Sequence, residues 1–536
     1  MSKAHLNQVI ASHLAEIKAE EDPGRQIYIF EKGDLGEDVI TYKDLYENSN
    51  KIARFFLGSG IGKGDTYAVF MRNHPEFVYS LLAGPTIGSI MVPIDPRSRG
   101  DRLKFLLKDC GAKAVIVSGE CLHQLEEVMK DLPSLKLVSV AYRPEQGIEV
   151  TGKYHALNEV LEETSWNVVE QQIMDVRHPM QIIYTSGTTG DPKGVAIRNN
   201  RTGLFNILTK IVWKYGSDDI LYNGLSLTHG NAQTVTLFPA FSMGIKAVFS
   251  ARFTKSRIWD ICRKYGCTSF SLLGGMMASI YNEPERANDA DNPVRMVISA
   301  GTPPSLWEGF EKRFNVKILE WYGSVEGGFA YRPVGEGPIG SFGKPVPGVM
   351  EMKVVDENDR EVPSGQIGEL ICKMNRGETK VDYLGKPEES KEKTKGGWLR
   401  TGDMVHKDKD GWYFFDYRKG TELRRAGDFI QPDYIETVIG KHDDVSEVCV
   451  YGIPAASGAP GESDLVAAVS PLENHTIDPK SIFDLCKKEL AANYIPSYLH
   501  VLEELPKTLT EKPLTRELKQ LADKGVGKMY KFEDYK

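Results

Sequence analysis

Cysteine is sparse in this chain and unpatterned. Seven residues, at positions 110, 121, 262, 267, 372, 449 and 486, are scattered over 536, and none forms a CxxC pair. An odd, dispersed set argues against a disulfide framework or a zinc site and fits a reducing, cytoplasmic setting. Charge of one sign is lacking as well. Against 66 Lys and Arg stand 74 Asp and Glu, a net charge of −8, and no long basic run occurs. Nucleic acid is therefore not an expected partner, and any attraction for phosphates must be local. No hydrophobic run is long enough to span a bilayer. The longest, Leu81 to Ile94, is short and holds Pro85 and Pro93, so no membrane span is expected. The N-terminus carries no secretory signal. Leu6, Val9, Ile10, Leu14 and Ile17 instead recur at helical spacing among charged residues, as in an amphipathic docking helix. The final Asp534-Tyr535-Lys536 is not a peroxisomal address. The absence of HExxH and GxSxG removes support for metalloprotease and serine-hydrolase chemistry. Internal repeats and low-complexity segments are also missing.

What is present is the composition of a folded protein with a large core, 41% hydrophobic and 26% charged. The length implies more than one domain. Over the first 250 residues, helical patterns such as Tyr42 to Leu57 alternate with short apolar runs such as Tyr67 to Met71 and Ala114 to Val117. That alternation predicts α/β layers. The texture changes after residue 360. Gln366 to Met374 reads as a strand and 385–395 as a charged, lysine-rich stretch. Residues 407–414 read as a hairpin turning at Asp410-Gly411. Beyond Arg418 the pattern is α+β on a smaller scale, with strands at Val445 to Tyr451 and Asp464 to Val469 and a helix at Ser481 to Ala492. The expected fold is therefore α/β. A large N-terminal domain of layered sheets and helices (1–419) is followed by a small α+β C-terminal domain (420–536).

The strongest local signal is Tyr184-Thr185-Ser186-Gly187-Thr188-Thr189-Gly190-Asp191-Pro192-Lys193-Gly194-Val195, which follows a strand-like run from Met180 to Ile183. Its glycines permit positive φ and close backbone approach. Its hydroxyls and free N–H groups can wrap phosphate oxygens, and Lys193 adds a point charge. On chemistry alone, a solvated Gly/Thr turn fits equally well. The spacing is not that of a Walker loop. Gly58-Ser59-Gly60-Ile61-Gly62-Lys63-Gly64 likewise follows a helical pattern rather than opening one, so it reads as a helix stop and not as a dinucleotide fingerprint.

This twelve-residue string closely resembles the signature of the adenylate-forming superfamily of acyl-CoA synthetases, luciferases and peptide-synthetase adenylation domains. Further segments resemble that family's motifs in order along nearly the whole chain. Gly301, Thr302 and Pro303 are similar to its adenine wall. Trp321, Tyr322, Gly323, Ser324 and Glu326 are similar to its Tyr-Gly-x-Thr-Glu motif. The resemblance implies that Tyr322 stacks on adenine and that Glu326 helps to hold Mg²⁺. Val325 departs from the family, which usually has a threonine there. Asp403, in Thr401-Gly402-Asp403, matches the ribose-binding carboxylate, whose two oxygens can accept from a diol. Arg418 matches the arginine that follows it. Gly420 falls at the hinge, where the family usually has Asp or Lys. Arg424 and Gly427 fall in the loop that lines the pantetheine tunnel. Lys512 takes the catalytic-lysine position, preceded by Glu511 where glycine is usual. That variant, with His229-Gly230-Asn231, resembles the crotonobetaine/carnitine–CoA ligase-like branch.

The function so implied is AMP-forming ligation of a carboxylic acid to coenzyme A, with ATP and CoA as co-substrates and Mg²⁺ as cofactor. Thr185, His229, Glu326 and Lys512 are the implied catalytic residues. Thr185 to Gly190, Lys193, Gly301 to Pro303, Trp321 to Ser324, Asp403 and Arg418 are the implied nucleotide site. His229, Asn231, Gly274, Gly275, Trp321 and Gly323 are implied to line the acyl pocket. The bulk of Trp321 favours a short, branched, cyclic or aromatic acid. Two rivals stay open at this point: adenylation with a carrier-protein acceptor, and a nucleotide-binding homologue that has lost catalysis. The sequence carries no signal for oligomeric state.

Overall fold

The computed structural model describes the chain apart from residues 1–9, 143–149, 151, 164–166, 186–191, 282, 419–422, 431, 473, 507–512 and 514. Among the described residues there are four sheets. A thirteen-stranded sheet has a parallel half and an antiparallel half. Strands Gln26–Glu31, Lys246–Ser250, Ile220–Asn223, Ser269–Leu273, Met296–Ala300 and Lys317–Gly323 lie side by side in parallel. Beyond Lys317–Gly323 the pairing turns antiparallel out to Met350–Val355. A seven-stranded sheet holds Thr66–Phe70, Ile90–Ile94, Ala114–Ser118 and Pro179–Thr185. Its pairs are parallel except for the edge strand Lys193–Arg198, which runs antiparallel to Pro179–Thr185.

The parallel strands are apolar on both faces and take helices on both sides, as buried parallel strands must. Ala114–Ser118 and Leu137–Ala141 are buried along their whole length. Helix Tyr42–Gly58 begins with a capping box between Thr41 and Asp44 and packs Leu45, Ile52, Ala53 and Phe56 inward. The chain then turns through Gly60 at φ 75° and Gly64 at φ 84°, so 58–64 is a helix stop. The apolar stretch Leu81 to Ile94 splits into the end of helix Pro75–Ile87, closed by left-handed Gly88, and the strand Ile90–Ile94. Both are buried. No helix among the described residues is long and apolar enough to cross a membrane.

Of the N-terminal docking helix, Ala11–Glu21 is described. It buries Leu14 and ties Ser12 to Gln171 at 2.8 Å. Leu6 and Val9 lie outside the described residues. The lysine-rich stretch 385–395 contains the short helix Pro387–Lys393. The expected helix at Ser481 to Ala492 spans Pro479–Glu489 instead. Pro479 and the Asp478 cap start it earlier, and a separate turn, Ala492–Tyr494, follows its end.

After the hairpin of Leu423–Arg425 and Asp428–Ile430, a smaller four-stranded sheet forms from Val445–Pro454, Ser463–Pro471, Tyr498–Val501 and Lys528–Lys531. It has its own core around Ile435, Leu465, Val469, Phe483 and Leu499. The fold is thus α/β, with a large N-terminal sheet domain and a smaller C-terminal domain built on a sheet.

Candidate active site

Parallel strands direct their carboxyl ends to one side, and the loops leaving those ends surround a cavity of about 330 Å³. Thr185 comes from the end of one sheet. Leu273, Ala300-Gly301 and Gly323-Ser324 come from successive strands of the other. His229 and Asn231 lie in the connection after Ile220–Asn223. Asp403, Arg424 and Gly427 complete the wall. Segments separated by more than 200 residues are therefore brought together by strand order alone.

The adenine-wall segment is held from beneath. Gly301 stands at φ 76°, where a side chain would be strained. The Glu320 carboxylate accepts the Gly301 N–H at 2.6 Å and the Thr302 hydroxyl at 2.5 Å. Burial pushes the Glu320 carboxyl up to about 7, against the pull of those hydrogen bonds. The same hydroxyl accepts from the Ser299 hydroxyl at 2.7 Å, so it is turned into the protein. Pro303 leads into helix Pro304–Phe314. Gly274 opens the helix Gly274–Tyr281, with Gly275 next in its first turn. A Cβ on Gly274 would collide with the Gly301 carbonyl, which requires glycine at that contact.

The Tyr322 ring lies 4.7 Å from that of Phe342, and its hydroxyl donates to Asp403 at 2.5 Å. The second and third motifs are thereby bonded to each other. The Asp403 backbone N–H donates to Thr401, and Arg418, at the end of Tyr413–Arg418, pairs in register with Asp403. Glu326 accepts from Thr185 at 3.5 Å and from Tyr383 at 3.2 Å. Ser324 does not stand in for the missing threonine at 325. Its hydroxyl donates to the Gly327 carbonyl at 2.8 Å and closes the local turn. Lys193 does not line the cavity and pairs with Glu389 at 2.6 Å.

Trp321 is buried edge-on against Trp213 with centroids 5.3 Å apart, and its indole N–H has no partner among the described residues. The two polar side-chain atoms of Asn231 are also buried and have no partner among the described residues. Asn73 pins the preceding segment by accepting the Leu227 N–H at 2.7 Å and donating to the Leu225 carbonyl at 2.8 Å. A Gln181–Gln233 amide pair at 2.7 Å supports it from behind.

The hairpin after residue 422 inserts its tip into the cavity wall. Gly427, at φ 82°, sits so close to Leu273 that a Cβ would collide with it. Glu462 accepts the Ala426 and Gly427 N–H groups at 2.6 and 3.0 Å and holds the tip. Asp428, the next residue, accepts from Arg97 at 2.8 Å and Asn493 at 2.6 Å, and lies 3.5 Å from His229. Arg97 also grips Asp95. Burial lowers the His229 imidazole, but Asp428 and Asp95 outweigh it and leave its pKa above the usual value. Asp95, His229 and Asp428 could in principle hold a metal ion. Arg97 already bonds to both carboxylates, however, and compensates their charge.

Of the residues expected from sequence, Thr185, His229, Asn231, Gly301, Thr302, Trp321, Tyr322, Gly323, Ser324, Glu326, Asp403, Arg424 and Gly427 share this cavity. Ser186, Gly187, Thr188, Thr189, Gly190, Gly420 and Lys512 lie outside the described residues. Sequence reasoning missed Asn73, Asp95, Arg97, Arg201, Glu320, Tyr383, Asp428 and Glu462. Single polar residues with no motif spacing give no local signal. Only Asp428, adjacent to the tunnel glycine, had a position that could have drawn notice.

The architecture is a large α/β domain with a cavity at its strand ends, against which a smaller sheet domain places its hairpin. Residues 15–376 match the family described as AMP-binding enzyme, and residues 434–512 match the AMP-binding enzyme C-terminal domain. The chain belongs to the AMP-binding enzyme family. It is 27% identical over 486 residues to crotonobetaine/carnitine–CoA ligase of Salmonella heidelberg (strain SL476), covering 90% of this chain and 93% of that one. It is also 27% identical over 540 residues to long-chain fatty acid transport protein 2 of Rattus norvegicus, covering 93% and 83%. Among solved structures, it resembles o-succinylbenzoate CoA synthetase from Bacillus subtilis, bound with a product analogue. The TM-score is 0.79 at 22% identity, over 97% of this chain and 99% of that one.

Proposed function

We propose that this protein is an AMP-forming carboxylic acid–CoA ligase. It joins an acid to AMP with release of pyrophosphate, then passes the acyl group to CoA with release of AMP. The observation that carries this reading is the seating of the 426–428 hairpin tip in the cavity that also holds Tyr322, Asp403 and Glu326. The relatives' names, CoA ligases among them, support it.

In the first step two anions must meet, the acid's carboxylate and the α-phosphate of ATP. Positive charge and fixed donors must offset their repulsion. We assign adenine to the wall at Gly301 and Thr302 and to Tyr322. We assign the ribose diol to Asp403, whose orientation the Tyr322 hydroxyl fixes. The phosphates fall to the 185–190 loop and Lys193, and the acid to the pocket of His229, Asn231, Gly274, Gly275, Trp321 and Gly323. Glu326, a single carboxylate positioned by Thr185 and Tyr383, fits Mg²⁺, which prefers one or two protein carboxylates beside phosphate oxygens and water. Bound there, the ion would neutralise phosphate charge.

Lys512 is the cation assigned to the adenylation step. The domain boundary is assigned to 419/420, with Gly420 as hinge and 420–536 as the mobile part. The hairpin at the cavity is the arrangement suited to the second step, with Gly427 leaving room for the pantetheine arm. The acid is proposed to be short, branched, cyclic or aromatic, and the setting cytoplasmic.

The two half-reactions test this directly. Lys512→Ala should abolish acid-dependent pyrophosphate exchange and leave thioester formation from supplied acyl-adenylate largely intact. Equal loss of both would contradict the division.

A further inference from the structure

The helix Arg201–Leu208 opens just after the edge strand Lys193–Arg198. Arg201 and, one turn on, Phe205 both line the cavity. Arg201 Nη2 donates to the Val325 carbonyl at 2.8 Å. Among the described residues that is its one hydrogen bond, and it makes no ion pair there. The acidic group it feels is Glu326, whose carboxylate already accepts from Thr185 and Tyr383. A guanidinium has five N–H donors in a planar fork matched to carboxylate and phosphate. The side chain is half-buried and lines the cavity, so the donors that Val325 leaves free open onto a space that an anion would complete. Desolvation lowers the Arg201 pKa to about 10, and Glu326 offsets it only in part.

Its position adds to this. Val325, which it grips, packs beside Gly230, next to His229 and Asn231. Arg201 thus holds the residue that packs on Gly230 and directly precedes Glu326. On the reading given above, this is where the acid's carboxylate approaches the nucleotide phosphates.

We infer that Arg201 is an oxyanion anchor within the cavity, a binding residue that takes a carboxylate or phosphate group of a reactant through the donors Val325 leaves free. It supplies a fixed positive charge in the arrangement where the hairpin fills the wall, and it belongs to the larger part of the chain, unlike Lys512.

The test uses the full chain, wild type against Arg201→Met and Arg201→Lys, with two probes that need no turnover. Benzoate stands for the carboxylate source and inorganic pyrophosphate for the phosphate source. Binding is followed by calorimetry and melting temperature. The expected result is that at least one probe binds the wild type and loses ten-fold or more in affinity in Arg201→Met, with partial rescue in Arg201→Lys. Loss for benzoate alone assigns the site to the acid, and loss for pyrophosphate alone assigns it to the nucleotide. The ligand-free Arg201→Met protein should melt close to wild type, because the half-buried side chain makes one hydrogen bond among the described residues. Unchanged affinity for both probes, failure of both to bind wild type, or a lower melting temperature with unchanged affinity would overturn the inference. Acid-dependent AMP formation by the wild type is scored separately, so a failed ligase reading is distinguishable from a failed anchor.

Discussion

At the residue scale, Glu320 shows how a buried carboxylate can shape a cavity by holding the backbone of its wall. It collects the Gly301 N–H and the Thr302 hydroxyl and fixes the loop against which adenine is assigned. Glu320→Ala should leave those buried donors unmatched, at about 1–3 kcal/mol each, and raise KM for ATP. Glu320→Gln should be milder. Burial raises this carboxyl from 4.5 to about 7, so the folded state binds its proton more tightly than the unfolded one. The resulting stability is fully present below pH 4.5 and is lost as pH rises through 7. A shift of that size corresponds to about 3 kcal/mol. Denaturant melts across this range should show the slope in wild type and its loss in Glu320→Gln, and identical slopes would refute the assignment. None of this was legible in the sequence. Glu320 sits in a strand, Lys317–Gly323, whose alternation gives no hint that one inward residue is an acid with partners 18 and 19 positions away.

At the scale of elements, the hairpin of Leu423–Arg425 and Asp428–Ile430 joins the two parts of the chain through polar contacts. Asp428 meets Arg97 and His229, and Tyr494 accepts from Arg102 at 2.6 Å. Asp428→Ala should loosen the docked hairpin and slow thioester formation by about ten-fold, equivalent to about 1.4 kcal/mol, with a smaller effect on adenylation. His229 adds a pH dependence. Its pKa is raised above 6.5 in the docked arrangement, so its contribution is complete below pH 6.5 and fades as pH rises through the raised value. Single-turnover transfer from acyl-adenylate should slow over that range in wild type and be flatter in Asp428→Ala. Parallel profiles would argue against the contact. Here the sequence was partly informative. Gly427 could be read from its motif, the helix Tyr42–Gly58 from its helical pattern, and the strands Thr66–Phe70 and Ala114–Ser118, to within a residue, from the short apolar runs Tyr67 to Met71 and Ala114 to Val117. The Arg97–Asp428 pair joins residues 331 apart, so no local pattern announces it. The Pro479–Glu489 helix was displaced because a proline start and an aspartate cap decided its boundary over the apolar pattern.

At the scale of the whole molecule, the layered sheets followed from alternating patterns, because buried parallel strands need near-continuous apolar runs. The order of thirteen strands did not, since pairing between distant segments leaves no mark on either one. Alternation between two arrangements requires a hinge, assigned to Gly420. Gly420→Pro fixes φ and should slow the thioester step more than adenylation, and unchanged turnover would move the hinge elsewhere. The central claim is best tested by acid-dependent AMP release with ATP, Mg²⁺ and CoA, over short, branched, cyclic, aromatic, long-chain and carnitine-like acids. The account predicts AMP release that requires CoA, with one group of short, branched, cyclic or aromatic acids preferred. Pyrophosphate release without CoA consumption would point to another acceptor, and ATP binding without turnover on any acid would contradict the ligase assignment.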